Sequence, residues 1–232
     1  MKACAIFFDK PVRYADGVLL QQRLAAARAT SRIADVVLFL EHHPVVTLGA
    51  RGRTGSMLVA PEELARRGID FAIASRGGDA TYHGPGQLIM YPILRLGSSE
   101  ADAHGYLFNL EEVAIRTAAD FGVTAFRRDG KNGAWAAQGK IAAIGFRLKR
   151  WITLHVMSFN VNPDLAGFGT IIPCGLQGEP VASLGSILGP GCPSLRDARA
   201  AMLRHFQQVL RRPLEVFDAG SPPHELRDLF VG

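Results

Sequence analysis

The chain has 232 residues, 48% of them hydrophobic, and a formal net charge of +5. That length suits a single domain over residues 1–232 with a sizeable core, and no apolar run reaches the roughly 18 residues of a membrane span. An acid and a proline interrupt the N-terminal stretch MKACAIFFDKPVRY before any long hydrophobic segment forms, so the chain reads as cytosolic and not membrane-bound.

Residues 3 to 8 (ACAIFF) read as a short strand, and Ala15 to Arg28 as a helix carrying Val18, Leu20, Leu24 and Ala27 at loosely helical spacing. Val36 to Leu40 and Val45 to Leu48 are apolar strand candidates, followed by the flexible loop GARGRTGS. Pro61 opens a short helix that Gly68 closes. Ile69 to Ala74 is a strand leading into a glycine loop, Gln87 to Leu96 a strand leaving it, and a helix runs from about Ala103 to Phe121. Gly139 to Lys149 and Ile152 to Val161 are separated by too few residues for a parallel crossover, so they should form an antiparallel hairpin. Ser194 is placed to cap a helix reaching Arg211, and a short helix begins near Pro222-Pro223. Alternating strands and helices around a mixed, largely antiparallel sheet put the fold in the α+β class.

The cysteines Cys4, Cys174 and Cys192 are odd in number and lack CxxC spacing, which argues against a disulfide framework and a zinc ribbon alike. His42, His43, His83 and His155 stand in no recognised ligand spacing, so a metal site is not expected. The positive charge is scattered in pairs such as Arg66-Arg67, Arg127-Arg128 and Arg211-Arg212, with no basic run and no ribonucleoprotein signature. Nucleic acid is therefore not the expected partner; an acidic protein would use the same charge.

Three stretches invite chemistry. In GKIAAIGFRLK, residues 139 to 149, strand alternation puts Lys140 on the face of Ala142, Ile144, Phe146 and Leu148. A lysine there either snorkels at the strand end or is partly desolvated, which would suit it to proton transfer. In IIPCGL, residues 171 to 176, Cys174 lies between proline and glycine. It is either a small buried hydrophobe or a nucleophile whose neighbouring amides could meet an oxyanion. The loop RGGDATYHGPGQ, residues 76 to 87, spends Gly77, Gly78, Gly84 and Gly86 at roughly 0.5 to 1 kcal/mol each relative to alanine. It matches neither GxGxxG nor a P-loop, so a binding surface for something other than a nucleotide is the natural reading.

Taken together, RGGDATYHGPGQLIMYPIL, GKIAAIGFRLKRWITLH, FNVNPDL, IIPCGL and EHHPVVTLGARG resemble the motifs of the octanoyltransferases of lipoate biosynthesis, over about residues 14 to 210. The chain departs from that pattern at Val156, where the family usually has glycine, and at Ala182 in VASL. The resemblance implies the fold of biotin and lipoate protein ligases, no cofactor, and a Cys174–Lys140 catalytic dyad. In it Cys174 takes an octanoyl group from octanoyl-acyl carrier protein and passes it to a lysine of a lipoyl domain, on a 2-oxoacid dehydrogenase subunit or the glycine-cleavage H protein. It further implies an acyl site built from Arg76, Gly77, Gly78, Asp79, Ala80, Thr81, Tyr82 and His83, from Ala143, Ile144 and Gly145, and from Val156, Met157 and Ser158. The rival readings are an ATP-dependent lipoate ligase, which needs no thiol, a non-catalytic module that docks an acidic carrier, and a thioesterase that releases free octanoate in preference to transferring it.

Overall fold

A computed structural model describes residues 2–52, 54–172 and 178–230, with only the backbone of Thr54 and Val156. The elements in chain order are β1 (Cys4–Phe7), α1 (Tyr14–Ala29), β2 (Val36–Leu40), β3 (Val45–Leu48), α2 (Pro61–Arg66), β4 (Asp70–Ile73), β5 (Ala80–His83), β6 (Gln87–Ile93) and α3 (Ala103–Ala119). They continue with β7 (Phe126–Arg128), β8 (Lys131–Ala136), β9 (Gly139–Lys149), β10 (Ile152–Asn160), α4 (Leu184–Leu188), α5 (Leu195–Val209), β11 (Glu215–Asp218) and α6 (Arg227–Phe230).

The strands form two sheets. An eight-stranded sheet runs β11-β1-β2-β6-β10-β9-β8-β7, and a three-stranded one runs β4-β3-β5. In the large sheet β1 is parallel to both β2 and β11, while every pair from β2 to β7 is antiparallel. Its central strands are buried on both faces, which is why β2 reads VVLFL and β6 reads QLIMYPI without polar alternation. One face packs on Leu110, Val113, Ala114, Met202 and Phe206 of α3 and α5. The other takes Leu24 and Ala27 of α1 and Leu229 of α6. Both long helices on the first face start on side-chain caps: Asp102 accepts from the His104 amide, and Ser194 accepts from the Asp197 amide.

The mixed sheet and the β9–β10 hairpin stand where the sequence puts them, the hairpin in register from Ile152↔Lys149 to Phe159↔Ala142. Three features differ from the sequence reading. The stretch Ala80–His83, taken as loop, is a strand paired with β3, from Val45↔His83 to Leu48↔Ala80. The β7–β8 hairpin and β11 were not anticipated, although Asp129-Gly130, with Gly130 at φ +70°, is a characteristic hairpin turn. The arginine pairs, expected as open basic surface, are in good part neutralised: Arg66 and Arg67 bind Glu63, Arg127 binds Glu111 and Glu112, and Arg212 binds Asp35 and Glu100.

Candidate active site

Lys140 does not lie on the face that plain alternation assigns it. Ala134 of β8 pairs with Ala142, but Trp135 pairs with Lys140, so the register slips by one and Ile141 is the extra residue of a β-bulge. Because Ala134 and Trp135 point to opposite faces, so must Ala142 and Lys140. The bulge therefore turns Lys140 onto the face of Ala143 and Gly145. The lysine is 8% exposed, which decides against snorkelling, and its Nζ lies 5.1 Å from the centroid of the Trp135 ring. Gly133 makes room for it. At φ +115° that residue needs glycine, and a Cβ there would stand 2.8 Å from Lys140 Cε and collide with the Ala142 carbonyl. The buried Glu111 of α3 holds the Gly133 amide in place at 2.9 Å.

On the face to which Lys140 turns lies a narrow, partly enclosed cavity with about 500 Å³ of empty space, its mouth included. Arg76, Gly77, Gly78, Asp79, Thr81 and His83 line it from the glycine loop and β5, Ala143, Ile144 and Gly145 from β9, and Met157 and Ser158 from β10. Of the other acyl-site candidates, Ala80 and Tyr82 face away, buried with Val46, Leu64 and Ile171, and Val156 pairs through its backbone with Gly145. The loop is pinned by its main chain. Gly77 N donates to the Phe146 carbonyl (3.2 Å), and the amides of Gly49, Ala50 and Arg51 donate to the carbonyls of Asp79, Arg76 and Gly78. Gly145 permits this approach, since a Cβ there would lie 2.8 Å from the Gly77 carbonyl oxygen. Arg76 is buried, with Nη2 donating to Thr47 O and Oγ1 at 2.9 and 2.8 Å.

A buried relay joins the cavity to the Lys140 strand. Asn160 Nδ2 donates to the carbonyl of Ala182 at 2.9 Å and more weakly to that of Lys140 at 3.4 Å. Its Oδ1 then accepts from Gln87 Nε2 at 2.8 Å, which leaves Gln87 Oε1 to face His83 Nδ1 at 2.7 Å. Carbonyls accept only, so the direction of every bond is fixed and Nδ1 of His83 must carry the proton. Its Nε2 is left as an acceptor with no hydrogen-bond partner among the described residues. Burial, with His42, Arg76 and His155 nearby, pushes the His83 pKa down to about 3, so the ring is neutral at neutral pH.

His42, His83 and His155 converge, but not as a metal cluster. His42 is spoken for at both nitrogens, by the Val12 carbonyl and the Tyr91 hydroxyl at 2.8 Å each. His155 Nε2 bonds Ser75 Oγ at 3.2 Å, and His43 is exposed. Burial lowers the pKa of His42 and of His155 to about 4. Tyr14, Ile89, Tyr91 and His155 also line the cavity and were not picked out as acyl-site residues. Tyr14 stacks on His83 with ring centroids 6.3 Å apart, and its buried hydroxyl has no hydrogen-bond partner among the described residues.

Cys174 lies outside the described residues. On its N-terminal side Ile172 N donates to Ser56 O at 2.8 Å, and Ser56 Oγ in turn donates to Asp79 Oδ2 of the cavity wall at 2.7 Å. On its C-terminal side Val181 bridges Lys140, with Lys140 N donating to Pro180 O and Ala182 N to Lys140 O at 2.9 and 3.0 Å. Glu179 is clamped by Arg128 and Lys131, which hold its carboxyl pKa below the usual range. The other two thiols fit structural roles: Cys4 is buried, its pKa pushed up to about 12, and Cys192 Sγ donates to backbone carbonyls.

The same architecture occurs in the bi-partite lipoate protein ligase of Thermoplasma acidophilum, with TM-score 0.76 at 17% identity over 99% of this chain and 91% of that one. The biotin protein ligase of Aquifex aeolicus matches with TM-score 0.53 at 12% identity, over 91% of this chain and 70% of that one. The fold is that of the lipoate and biotin protein ligases. In sequence, residues 13–207 match the model of the lipoyl protein ligase A/B catalytic domain. The octanoyltransferase of Syntrophotalea carbinolica is 44% identical over 198 residues, 85% of this chain and 90% of that one. The chain belongs to the lipoyl protein ligase A/B catalytic-domain family, among its octanoyltransferases, and is an acyltransferase of protein lipoylation.

Proposed function

We propose that the chain takes its octanoyl group from octanoyl-acyl carrier protein, holds it as a thioester on Cys174 and delivers it to a lipoyl-domain lysine with Lys140 as the acid and base. The acceptor domains are those of 2-oxoacid dehydrogenase subunits and the glycine-cleavage H protein. The observation that carries this reading is the bulge that turns a buried lysine onto the face of the narrow cavity walled by the glycine loop, β9 and β10. The flanks of the Cys174 segment support it, because one is tied to the cavity wall at Ser56 and Asp79 and the other to the Lys140 backbone.

The chemistry then follows from the residue types. An ordinary cysteine, with pKa about 8.5, is only a few per cent thiolate at neutral pH, and an ammonium that lowers it by one unit gives nearly tenfold more nucleophile. The sulfur anion adds to the carrier thioester carbon, the bond to the pantetheine sulfur breaks, and Lys140 gives its proton to the departing thiolate. Neutral Lys140 next takes a proton from the lipoyl-domain amine as that amine attacks the acyl-enzyme. The carbon–sulfur bond to Cys174 breaks, and the thiolate and ammonium are restored. Meanwhile the slot holds the tail, and burying eight carbons at ~0.8 kcal/mol per methylene supplies up to about 6 kcal/mol before ordering costs.

The test is transfer in a purified mixture of this protein, octanoyl-acyl carrier protein and a lipoyl domain without nucleotide. The lipoyl domain should gain one octanoyl unit in its intact mass. Octanoylation that appears only with free octanoate and ATP would assign the chain to the ligase chemistry instead.

A further inference from the structure

Resting on the assignment of Lys140 as acid and base, we infer that Trp135 is its positioning residue: the indole face holds the ammonium in place and ties it to the stem of the Cys174 segment. Lys140 Nζ lies 5.1 Å from the Trp135 ring centroid, inside the ~6 Å over which an aromatic face attracts a cation. The two residues are direct cross-strand partners on β8 and β9. Both are buried, and this attraction is strongest where water is excluded.

The ring is itself fixed. Trp135 Nε1 donates to the Lys131 carbonyl at 3.2 Å, and the Arg128 guanidinium and Lys131 ammonium lie 4.5 and 5.9 Å from the ring centroid. Both of these cations bind Glu179, Arg128 through Nη1 at 2.6 Å. Glu179 precedes Pro180, whose carbonyl accepts from the Lys140 amide at 2.9 Å. The contacts therefore close on themselves, from the Lys140 ammonium to Trp135, to Arg128 and Lys131, to Glu179, and through Pro180 to the Lys140 main chain. Glu179 stands five residues beyond Cys174, so the circuit places the amine relative to the chain that carries the thiol.

An aromatic face suits a residue that must give and regain a proton. A carboxylate would also attract the ammonium, but its lone pairs would compete for that proton; a π face attracts the charge and accepts no proton. The carboxylates on this side are engaged by other groups. Glu179 meets Arg128 and Lys131, while Glu111 meets the Gly133 amide and Arg127. Lys140 can thus keep its proton for the departing pantetheine thiolate and then take that of the incoming amine.

The experiment follows alkylation of Cys174 by iodoacetamide against pH, read on its own peptide by mass spectrometry, beside steady-state octanoyl transfer. It compares the parent with Trp135→Phe, Trp135→Leu and Lys140→Met. An ammonium no longer held near the sulfur stabilises the thiolate less, so the alkylation midpoint should rise by about half a pH unit or more in Trp135→Leu, leaving about threefold less thiolate at neutral pH. In the same variant kcat should fall about tenfold while KM for octanoyl-acyl carrier protein changes little. Trp135→Phe, which keeps an aromatic face, should restore most of both. Should Trp135→Leu fail to fold, singly, doubly and triply fluorinated tryptophan serves in its place, because fluorine withdraws charge from the ring face with little change of shape. The chain has two tryptophans, so a Trp151→Phe background confines the label to Trp135. The midpoint should then climb with each fluorine. A midpoint that stays put in these variants while Lys140→Met raises it overturns the role of Trp135, even if transfer slows. A midpoint unmoved by Lys140→Met as well overturns the Cys174–Lys140 pairing itself, and this inference with it.

Discussion

The three buried histidines around the cavity should make the fold acid-sensitive well above the carboxylate range. Burial is the leading cause of depression in each, taking His42 and His155 to about 4 and His83 to about 3 from an ordinary 6.5. Between those values the unfolded chain binds protons that the native one refuses, so stability is complete above about pH 6.5 and declines as pH falls toward 4. At pH 5 each imidazole lies about 1.5 pH units below its unfolded pKa, worth about 2 kcal/mol. Three independent groups would give about 6 kcal/mol, which rivals the ~5–15 kcal/mol that holds a typical domain together. Because His42 and His155 face His83, that sum is an upper bound. The steepest loss is about 4 kcal/mol per pH unit between pH 6 and 5, one proton contributing about 1.4. Glu112 and Glu179, whose pKa values are depressed by hydrogen bonds from Arg127 and Lys131, lose their contribution only as pH falls below their ordinary 4.5. Urea unfolding followed by circular dichroism at half-unit steps from pH 7 to 5, at constant ionic strength, reads the slope directly. His42→Gln should be less stable at pH 7, having lost its bonds to Val12 O and Tyr91 Oη, yet about a third flatter with pH. A stability constant to within ~1 kcal/mol across that range, or a slope untouched by His42→Gln, would rule out the buried histidines as the source of the acid sensitivity.

Lys140→Met replaces the buried amine with an apolar chain of similar length, so octanoyl transfer should fall about 10²- to 10⁴-fold while the far-ultraviolet circular dichroism of the variant matches the parent's. Activity within fivefold of the parent in a steady-state assay would remove Lys140 from the chemistry. Gly133→Ala should cost about 1–3 kcal/mol in backbone strain and displace the Lys140 stem, lowering turnover as well as the melting temperature. Gly122→Ala separates the two effects: φ +76° imposes strain there, but a Cβ meets nothing, so it should lower the melting temperature without the loss of turnover.

What could be read from the sequence were the elements whose signals are local. β2, β3 and the β9–β10 hairpin appear at their true boundaries, or within a residue of them, because each is a continuous apolar run ended by turn residues or a short connection. Ala80–His83 was hidden by glycines on both sides; it becomes a strand only through β3, some 35 residues earlier in the chain. Lys140 was singled out but assigned to the wrong face, since a bulge is defined by the partner strand and leaves no trace in the period of its own. The same limit applies to the cavity. Arg76, Asp79 and Gly145 sit in motifs whose acyl role the resemblance carries, whereas Tyr91 and His155 stand in quoted motifs without such a role and reach the cavity through β6 and a left-handed backbone turn within β10, and Tyr14 is brought there by α1. The direction of the His83–Gln87–Asn160 relay could have been suspected from none of its members alone. It follows only from the two carbonyls at its far end.

The proposed transfer depends on a covalent octanoyl group at one sulfur. The most direct measurement mixes the protein with octanoyl-acyl carrier protein in the absence of any acceptor, quenches in acid and maps the peptides by mass spectrometry. One octanoyl unit is expected on the peptide carrying Cys174, discharged when a lipoyl domain is added before the quench. An unmodified Cys174 peptide in a preparation that still octanoylates lipoyl domains at full rate would contradict it.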